Sequence, residues 1–511
     1  MKFGDTTRYG NKKNSEVTQV NGYNGTVVNG ETERAICNFP LEYQKSLGNS
    51  FEDLVNGSLD YPGIPAKPEG LSLNCDAATT LVIGGCELCV IAGLGFPESL
   101  LNCVSLSDLW SNYVWLGVFV VFVSLVRFLD VLSYPEKPEV TYMQKGALGK
   151  TSLSIADILN RCPILNEVYL PPLLWGRSGH LQTASYGLFG HASLIRTYDR
   201  RHVVKLTDGA SVVFDIFEPV KPHPSRKDLT LALCPGIANT SESNYIRTCV
   251  HYAQENGFRC AVLNHLGALK HVPLTSNRIF SYGGTEEMEE MLARLADLYP
   301  STRFFCIGFS MGGNIITRMI AKFSTESFRH RIIAGLSVAQ GYSAVSSLSL
   351  YHSWENGRRA YNYLITENMK RLLRRNYDMA VAPHSYKFIL KHLWAATSIM
   401  ALDDSYTRRI LGYESVEEFY RDISSLSVIP KIKIPMVFMN SLDDPLIPPC
   451  LWQPVRELAA TNEHFGFVLT KHGGHLGFLE GSGIAPNSIT WLDRFIVELA
   501  NSVIVEYDES D

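Results

Sequence analysis

The sequence has no excess of positive charge. Its 46 Lys and Arg residues are outnumbered by 51 Asp and Glu residues, which gives a net charge of -5 over 511 residues. Proteins that bind nucleic acid usually carry a basic patch or a high isoelectric point. The charge balance therefore predicts no nucleic-acid partner.

The sequence also lacks the cysteine pattern of a small disulfide-stapled protein. Its 11 cysteines are an odd number, and Cys234, Cys260 and Cys306 lie in apolar runs, where a buried, reduced thiol is the ordinary state. We predict no metal site and no cofactor. Residues 1–13 lack the basic and then apolar layout of a secretory signal peptide.

Sustained apolar periodicity is missing from the N-terminal region. Residues 1–75 are rich in Asn, Gly, Ser and Glu, and they cannot bury enough surface to offset the entropy of the chain. We interpret them as a disordered tail. Residues 76–108 contain an apolar, Gly-rich run interrupted by Glu87, and this segment stays unassigned.

Residues 109–132 are predicted to form a transmembrane anchor. The first 18 of them, 109–126, carry no charge, and as a helix they would span about 27 Å of a hydrocarbon core of about 30 Å. Trp110, Tyr113 and Trp115 suit an interfacial aromatic belt. A buried core helix is the alternative. We expect a single-pass membrane protein, with the basic flank after the anchor favouring the cytoplasm for the C-terminal side.

Beyond the anchor, residues 133–200 are predicted to be a linker and pre-core segment, and residues 201–344 and 431–505 the core. Strand-like and helix-like segments alternate there, which predicts a mostly parallel sheet covered on both faces and entered by an antiparallel hairpin. The predicted strands are 202–206, 211–217, 229–234, 260–264, 303–307, 332–338, 435–440 and 467–470, and the predicted helices are 245–254, 286–298, 314–323 and 491–500.

Residues 345–430 interrupt this alternation. They are rich in Tyr, Trp, Arg and Leu at helical spacing and show no clear strand. We interpret them as a helical cap inserted after a core strand, able to cover an apolar substrate. A purely structural pair of helices is the alternative.

The candidate nucleophile is Ser310, at the centre of Gly308-Phe-Ser-Met-Gly312. This Gly-x-Ser-x-Gly pentapeptide lies between a predicted strand and a predicted helix, the context of a nucleophile elbow. Glycine is favoured on both sides of the serine because a side chain there would collide with the neighbouring strand or helix.

A serine nucleophile needs a histidine as base and a carboxylate to orient that histidine, in the chain order Ser, acid, His. Asp443 and Asp444 both follow a predicted strand, and we choose Asp444, which precedes a proline. His475, after the next strand and two glycines, is the candidate base, and His472 is its rival. A metal site at the two histidines lacks a third nearby ligand.

The tetrahedral oxyanion of ester hydrolysis requires two backbone donors. The N–H of Met311, the residue after the nucleophile, is one candidate. The other is the N–H of Ile237, in the loop after the third strand of the predicted core.

These segments resemble the alpha/beta-hydrolase superfamily and, within it, the membrane-anchored group called AB hydrolase family 4. The resemblance implies an alpha/beta-hydrolase fold, a catalytic set of Ser310, Asp444 and His475, and hydrolysis of monoacylglycerols such as arachidonoylglycerol and of simpler esters. It also implies stimulation by progesterone and a catalytic domain outside the cytoplasm, against the charge bias. The matching segments are Trp175-Gly-Arg-Ser-Gly-His-Leu-Gln-Thr183, Cys234-Pro-Gly-Ile-Ala-Asn239, Asn264-His-Leu-Gly-Ala268, Gly308-Phe-Ser-Met-Gly-Gly-Asn314, Asp443-Asp-Pro-Leu446 and His472-Gly-Gly-His-Leu-Gly-Phe478.

We therefore expect a membrane-bound serine hydrolase of lipid esters, with a steroid as an effector. Two alternatives keep the same site. One is a lipid or steroid receptor without catalysis, and the other is an acyltransferase that passes the acyl group to an alcohol or a phospholipid.

Overall fold

A computed structural model describes residues 82–83, 86–87, 106–144, 154–188, 197–322 and 331–510. Two compact units are distinguished, residues 1–102 and 103–511. In the first, strands β1 (Val82–Ile83) and β2 (Cys86–Glu87) pair antiparallel. The tail predicted for residues 1–75 lies outside the described residues, as does most of 76–108.

The second unit is built on a sheet of nine strands. It contains β3 (Glu139–Thr141), β4 (Arg200–Lys205), β5 (Ser211–Phe217), β6 (Leu229–Cys234), β7 (Arg259–Asn264), β8 (Arg303–Phe309), β9 (Ile332–Val338), β10 (Met436–Ser441) and β11 (Phe465–Thr470) in the spatial order β3-β11-β10-β9-β8-β6-β7-β5-β4.

The central strands of this sheet, from β7 through β6, β8, β9 and β10 to β11, run parallel. At one edge the hairpin β4–β5 joins β7 antiparallel, and at the other β3 joins β11 antiparallel. The prediction of a mostly parallel sheet entered by a hairpin is confirmed. The carboxyl ends of the parallel strands share one edge, which is where ligand sites of such sheets form.

Helices cover both faces of the sheet. Neighbouring residues of β8 show why both faces need cover: Phe305 and Ile307 are buried in one apolar cluster, and Phe304 and Cys306 in the other. Besides α1, treated below, the α-helices described for this unit outside the cap are α2 (Ile155–Asn160), α3 (Gly179–Leu188), α4 (Asn244–Glu255), α5 (Glu286–Leu298), α6 (Met311–Lys322), α13 (Gln453–Thr461) and α14 (Trp491–Ser510).

The strand cysteines Cys234, Cys260 and Cys306 are free and buried, and burial raises the pKa of each thiol. Apolar burial of this kind makes a thiol unreactive because the thiolate is the nucleophilic form. The expectation of buried, reduced thiols is confirmed for these three residues.

Between β9 and β10 the described chain is helical. The longest of these helices, α8, has 18 residues and contributes to a third buried cluster that includes Met369, Leu372 and Phe419. We call this set the cap helices: α7 (Ala344–Leu350), α8 (Arg358–Arg375), α9 (Leu390–Ala395), α10 (Ile399–Leu402), α11 (Arg408–Leu411) and α12 (Val416–Ile423).

The segment predicted as an anchor lies on helix α1 (Leu106–Leu129). Most of its described side chains are exposed, including Tyr113 at 69% and Val121 at 67%. Within the described parts of the chain, no helix combines the length and the apolar character needed to cross a membrane. The structure therefore does not bear out a transmembrane anchor at 109–132.

Residues 133–200, predicted as a linker and pre-core segment, contribute regular structure to the second unit. β3 pairs with the last strand, and Leu159 of α2 is buried in the same cluster as Phe495 of α14. Gly179 begins helix α3, whose side chains reach the candidate site described below.

Candidate active site

Ser310 lies at a sharp turn between β8 and α6. Its φ of +51° is left-handed, a conformation that costs free energy in a residue with a side chain. The Ser310 N–H donates to the Val338 carbonyl at 2.8 Å, which ties the turn to β9. This strained strand-to-helix geometry is that of a nucleophile elbow.

Two glycines make the turn sterically possible. A Cβ on Gly308 would lie 2.2 Å from the Gly312 carbonyl oxygen, and one on Gly312 would lie 2.0 Å from the Cys234 carbonyl oxygen. Both distances are too short for any side chain, so the Gly-x-Ser-x-Gly spacing is a packing requirement of this turn.

His475 connects Ser310 to Asp444. The His475 Nε2 atom lies 3.0 Å from the Ser310 hydroxyl oxygen, and its Nδ1 atom lies 2.8 Å from Asp444 Oδ2. With the proton on Nδ1 donated to the carboxylate, Nε2 is free to accept the serine proton. The structure thus brings the three predicted residues into one hydrogen-bonded chain.

The Asp444 carboxylate is fixed by the backbone that follows it. Its Oδ1 atom accepts the N–H groups of Leu446 at 2.8 Å and Ile447 at 3.1 Å, which leaves Oδ2 for the histidine. The side chain has no solvent exposure. Burial keeps water from competing for the carboxylate and so strengthens its electrostatic interaction with the imidazole.

Asp443 points to a different part of the loop. Its carboxylate accepts the N–H groups of Gly474 at 2.8 Å and Gly473 at 3.3 Å. Burial raises the pKa of Asp443 to about 7. This carboxylate holds the glycine turn that precedes His475 and makes no hydrogen bond to the imidazole among those of the described residues.

His472 also lies away from Ser310. Its Nε2 atom is 3.3 Å from the Ser133 hydroxyl, and its Nδ1 atom is 3.2 Å from the Arg177 carbonyl. Burial lowers the pKa of this imidazole. His472 thus joins the pre-core segment to the histidine loop, and among the described residues no group of three His, Cys, Asp or Glu side chains is arranged to hold a metal ion.

The sequence did not single out Thr183, which holds the backbone of His475. The His475 N–H donates to the Thr183 hydroxyl at 2.8 Å, and that hydroxyl donates to the Gly179 carbonyl at 2.7 Å. Gly179 is packed so tightly that a Cβ there would lie 2.0 Å from the Asp443 carbonyl oxygen. The one pointer to Thr183 in the sequence is its place in the segment 175–183, which matches the family but for which the resemblance implied no role.

His180, in the same motif, contacts the cap helices. Its Nδ1 atom lies 3.0 Å from the Tyr361 hydroxyl of the cap, and its ring stacks on those of Tyr361 and Phe128. Burial lowers the pKa of this imidazole. His180 therefore joins helix α1 to the cap helices.

The two candidate oxyanion donors come from the turns that follow β8 and β6. Met311 is the first residue of α6, where a backbone N–H has no acceptor within the helix. Ile237 lies in the loop after β6, next to Ala238 with its left-handed φ of +58°. Both residues line the same cavity as Ser310.

That cavity, which we call the Ser310 cavity, opens between the sheet edge and the cap helices. Ser310 and His475 contribute its reactive side chains. Much of the remaining wall is apolar, which suits an acyl chain. The apolar residues of the wall are Ile237, Met311, Ala344, Ile365, Ile399, Ile423, Leu446 and Ile447.

A strained serine elbow, a histidine and a buried carboxylate at the carboxyl edge of a mostly parallel sheet define a serine hydrolase of the alpha/beta-hydrolase class. The family model described as "alpha/beta hydrolase fold" matches residues 230–482. The chain belongs to the alpha/beta-hydrolase family.

Monoacylglycerol lipase ABHD2 of Mus musculus is 39% identical over 412 residues, which cover 80% of this chain and 95% of that protein. Abhydrolase domain-containing protein 2 of Drosophila melanogaster is 40% identical, covering 76% of this chain and 96% of that protein. Phospholipase ABHD3 of Homo sapiens is 27% identical over a match that covers 76% of this chain and 91% of that protein. Identity of 39% to a monoacylglycerol lipase over most of the chain, together with this fold, makes the chain a carboxylic-ester hydrolase.

Proposed function

We propose that the chain hydrolyses monoacylglycerols at a membrane, with Ser310 as nucleophile, His475 as general base and Asp444 as the carboxylate that orients it. The observation that carries the proposal is the hydrogen-bonded chain from Ser310 through His475 to Asp444, which opens onto an apolar cavity. A nucleophile and its base at the wall of an apolar cavity suit an ester with a long acyl chain.

The reaction has two halves. His475 takes the proton of Ser310 as the serine oxygen adds to the ester carbonyl carbon, and it then gives that proton to the departing glycerol oxygen. The acyl group is left on Ser310. Water, deprotonated by the same imidazole, adds to the acyl carbon and releases the fatty acid, which restores the serine hydroxyl.

Each half passes through a tetrahedral oxyanion, for which we assign the N–H groups of Met311 and Ile237 as donors. Removal of one such donor typically costs about 3 kcal/mol of transition-state stabilisation. The left-handed φ of Ala238 supports the assignment, since strained backbone of this kind occurs where a loop is held in place for function.

The substrate class rests on the relatives together with the cavity. The relative from Mus musculus given above is named a monoacylglycerol lipase, and the more distant human relative is named a phospholipase. Both names refer to enzymes that act on lipids. An apolar wall beside Ser310 supports the acyl chains of lipids.

Association with a membrane is part of the proposal. Helix α1 carries exposed apolar side chains around its circumference, among them Trp115 at 68% and Phe122 at 60%. Exposed apolar surface of this extent is typical of a face that binds a membrane or another protein. Deletion of residues 1–132 should release the protein from the membrane fraction of cells, and full retention would contradict this part of the proposal.

The resemblance also implies an effector, and we propose that progesterone stimulates the hydrolysis. The test is the rate of fatty-acid release from a monoacylglycerol with and without the steroid. Equal rates over a range of steroid concentrations would remove the effector and leave the hydrolase assignment unaffected.

The experiment that tests the proposed activity measures release of arachidonic acid from arachidonoylglycerol by membranes that carry the wild-type or the Ser310→Ala protein. We expect release by the wild type and none above background by the variant. Transfer of the acyl group to an added alcohol or phospholipid would identify an acyltransferase. Tight binding of lipid or steroid without turnover would identify a receptor.

A further inference from the structure

The Ser310 cavity has one strongly basic side chain in its wall. Arg358 begins helix α8, and its side chain is only 1% exposed. Arg358, Tyr361, Asn362 and Ile365 all line the cavity, with the spacing of one helix face. The described lining residues include no other lysine or arginine and no aspartate or glutamate. A single positive charge therefore stands in a largely apolar wall.

The hydrogen-bond donors of Arg358 are not all used. A guanidinium has five N–H donors. Its Nη2 atom donates to the Glu355 carboxylate, whereas Nε has no hydrogen-bond partner among the described residues. The Glu355 side chain is 70% exposed, so water hydrates its charge, while the guanidinium is buried. A buried cationic donor without an acceptor is costly, and a ligand that supplies one is strongly favoured.

Arg358 shares its cavity with the reacting groups. Ser310, His475 and Arg358 all line the Ser310 cavity. An ester substrate bonded to Ser310 therefore occupies the same cavity as the guanidinium, and an anionic group on that substrate can be bound by Arg358 within it.

We propose that the Ser310 cavity also takes monoacylglycerols that carry a phosphate on the glycerol, with Arg358 binding the phosphate oxygens. The proposal rests on the ester hydrolase function given above. A planar guanidinium binds two phosphate oxygens at once, and a buried pair is screened little by salt. The phosphate either displaces the Glu355 carboxylate from the guanidinium or binds beside it. The Glu355 side chain is exposed, so a displaced carboxylate turns to solvent.

The chemistry is the same hydrolysis. The ester bond between the acyl carbon and the glycerol oxygen breaks, the proton held by His475 passes to that oxygen, and glycerol phosphate leaves. Water then supplies the oxygen that completes the fatty acid. Arg358 takes no part in bond making or breaking and acts as a residue that determines substrate specificity.

The test compares a neutral and a phosphorylated ester with the same acyl chain. Fatty-acid release from 1-oleoylglycerol and 1-oleoylglycerol 3-phosphate is measured with membranes carrying the wild-type, Arg358→Met or Arg359→Met protein. We expect wild-type turnover of both esters and, in Arg358→Met, a loss of about tenfold or more in kcat/KM for the phosphorylated ester alone. Arg359 is exposed and lies over the Trp354 ring, so its variant should match the wild type.

A second variant guards against misfolding of Arg358→Met. Glu355→Gln removes an exposed charge that competes for the guanidinium, and we expect it to raise kcat/KM for the phosphorylated ester without changing that for the neutral one. Equal losses on both esters in Arg358→Met together with no gain in Glu355→Gln would overturn the proposal. So would a wild-type enzyme that hydrolyses only the neutral ester.

Failure of the hydrolase assignment gives a different result. If the wild-type protein hydrolyses neither ester, binding of 1-oleoylglycerol 3-phosphate to the Ser310→Ala protein tests Arg358 without turnover. Loss of that binding when Arg358→Met is added supports the anion site, and unchanged binding overturns it.

Discussion

At the scale of single residues, the position of His475 depends on three side chains from two separate parts of the chain. Asp444 holds the imidazole, Asp443 holds the two glycines before it, and Thr183 holds its backbone N–H. The contacts have different chemical consequences. Asp444 orients the imidazole that transfers the proton, whereas Asp443 and Thr183 support the loop that carries His475.

The two neighbouring aspartates are separable by mutation. Asp444→Asn should lower kcat by about 10⁴-fold, since an amide stabilises the wrong tautomer of the histidine. Asp443→Asn should cost about tenfold or less, the usual effect of weakening hydrogen bonds to a loop. Steady-state kinetics on a monoacylglycerol check this order, and a larger loss in Asp443→Asn would exchange the roles of the two carboxylates.

Thr183 is predicted to be a positioning residue. Thr183→Val removes the oxygen that accepts the His475 N–H, and a buried donor without a partner shifts or destabilises the loop. We expect kcat to fall about tenfold with little change in KM, and Thr183→Ser, which keeps the hydroxyl, to restore it. If the serine and valine variants are equally impaired, the hydroxyl is not what matters.

At the scale of elements, the turn between β8 and α6 has no room for a side chain at Gly308 or Gly312. The crowding comes from backbone atoms of β6 and α6, which cannot move without disturbing the sheet. The strain at Ser310 is therefore sustained by the elements on either side of it.

Gly312→Ala should destabilise the fold by about 1–3 kcal/mol or more, because its Cβ would lie 2.0 Å from the Cys234 carbonyl oxygen, far inside van der Waals contact. Gly483→Ala is the matched control, since a Cβ there has nothing within 4 Å. Thermal unfolding of the two variants measures the difference. Equal stability of both would show that the turn relaxes more easily than its packing indicates.

The sequence predicts those elements whose pattern is local. The helix at 286–298 and the strand at 332–338 agree with the structure at both ends, because regular apolar spacing marks them. β3 was missed because it has three residues and is defined by pairing with β11, more than 300 positions further on. No local pattern reveals such a partner.

The candidate site was predicted unevenly for a similar reason. The Gly-x-Ser-x-Gly turn and the order of acid and histidine point to Ser310 and Asp444, each of which the structure places within 3.0 Å of a ring nitrogen of His475. Their catalytic roles and the two oxyanion donors stay predictions. Thr183 and Arg358 could not be chosen from the sequence, because their contacts depend on how α3 and the cap helices pack around the cavity.

At the scale of the whole molecule, stability should depend on pH through buried carboxyl groups. Asp403 lies in the cap, between α10 and α11, where its carboxyl accepts hydrogen bonds from the hydroxyls of Tyr282, Tyr420 and Thr407. Burial raises its pKa to about 7, as it does for Asp443 and Asp493. The folded state therefore holds these protons more firmly than the unfolded chain does.

The sign of the effect follows from these shifts. A carboxyl group whose pKa is raised from 3.8 to about 7 contributes full stability below about pH 4 and loses that contribution as the pH rises toward 7. Asp403→Asn removes this pH-dependent contribution. The free energy of unfolding of the variant minus that of the wild type should therefore rise as the pH is raised from 4 to 7. Chemical denaturation at several pH values measures the difference, and parallel curves would contradict it.

The central claim is that Ser310 is the nucleophile of this molecule, and covalent labelling tests it most directly. Membranes carrying the wild-type and the Ser310→Ala proteins are treated with a fluorophosphonate probe, and the modified peptide is identified by mass spectrometry. We predict a single adduct on Ser310, no labelling of the variant, and loss of monoacylglycerol hydrolysis in parallel. A folded variant that still labels and hydrolyses at the wild-type rate would contradict the account.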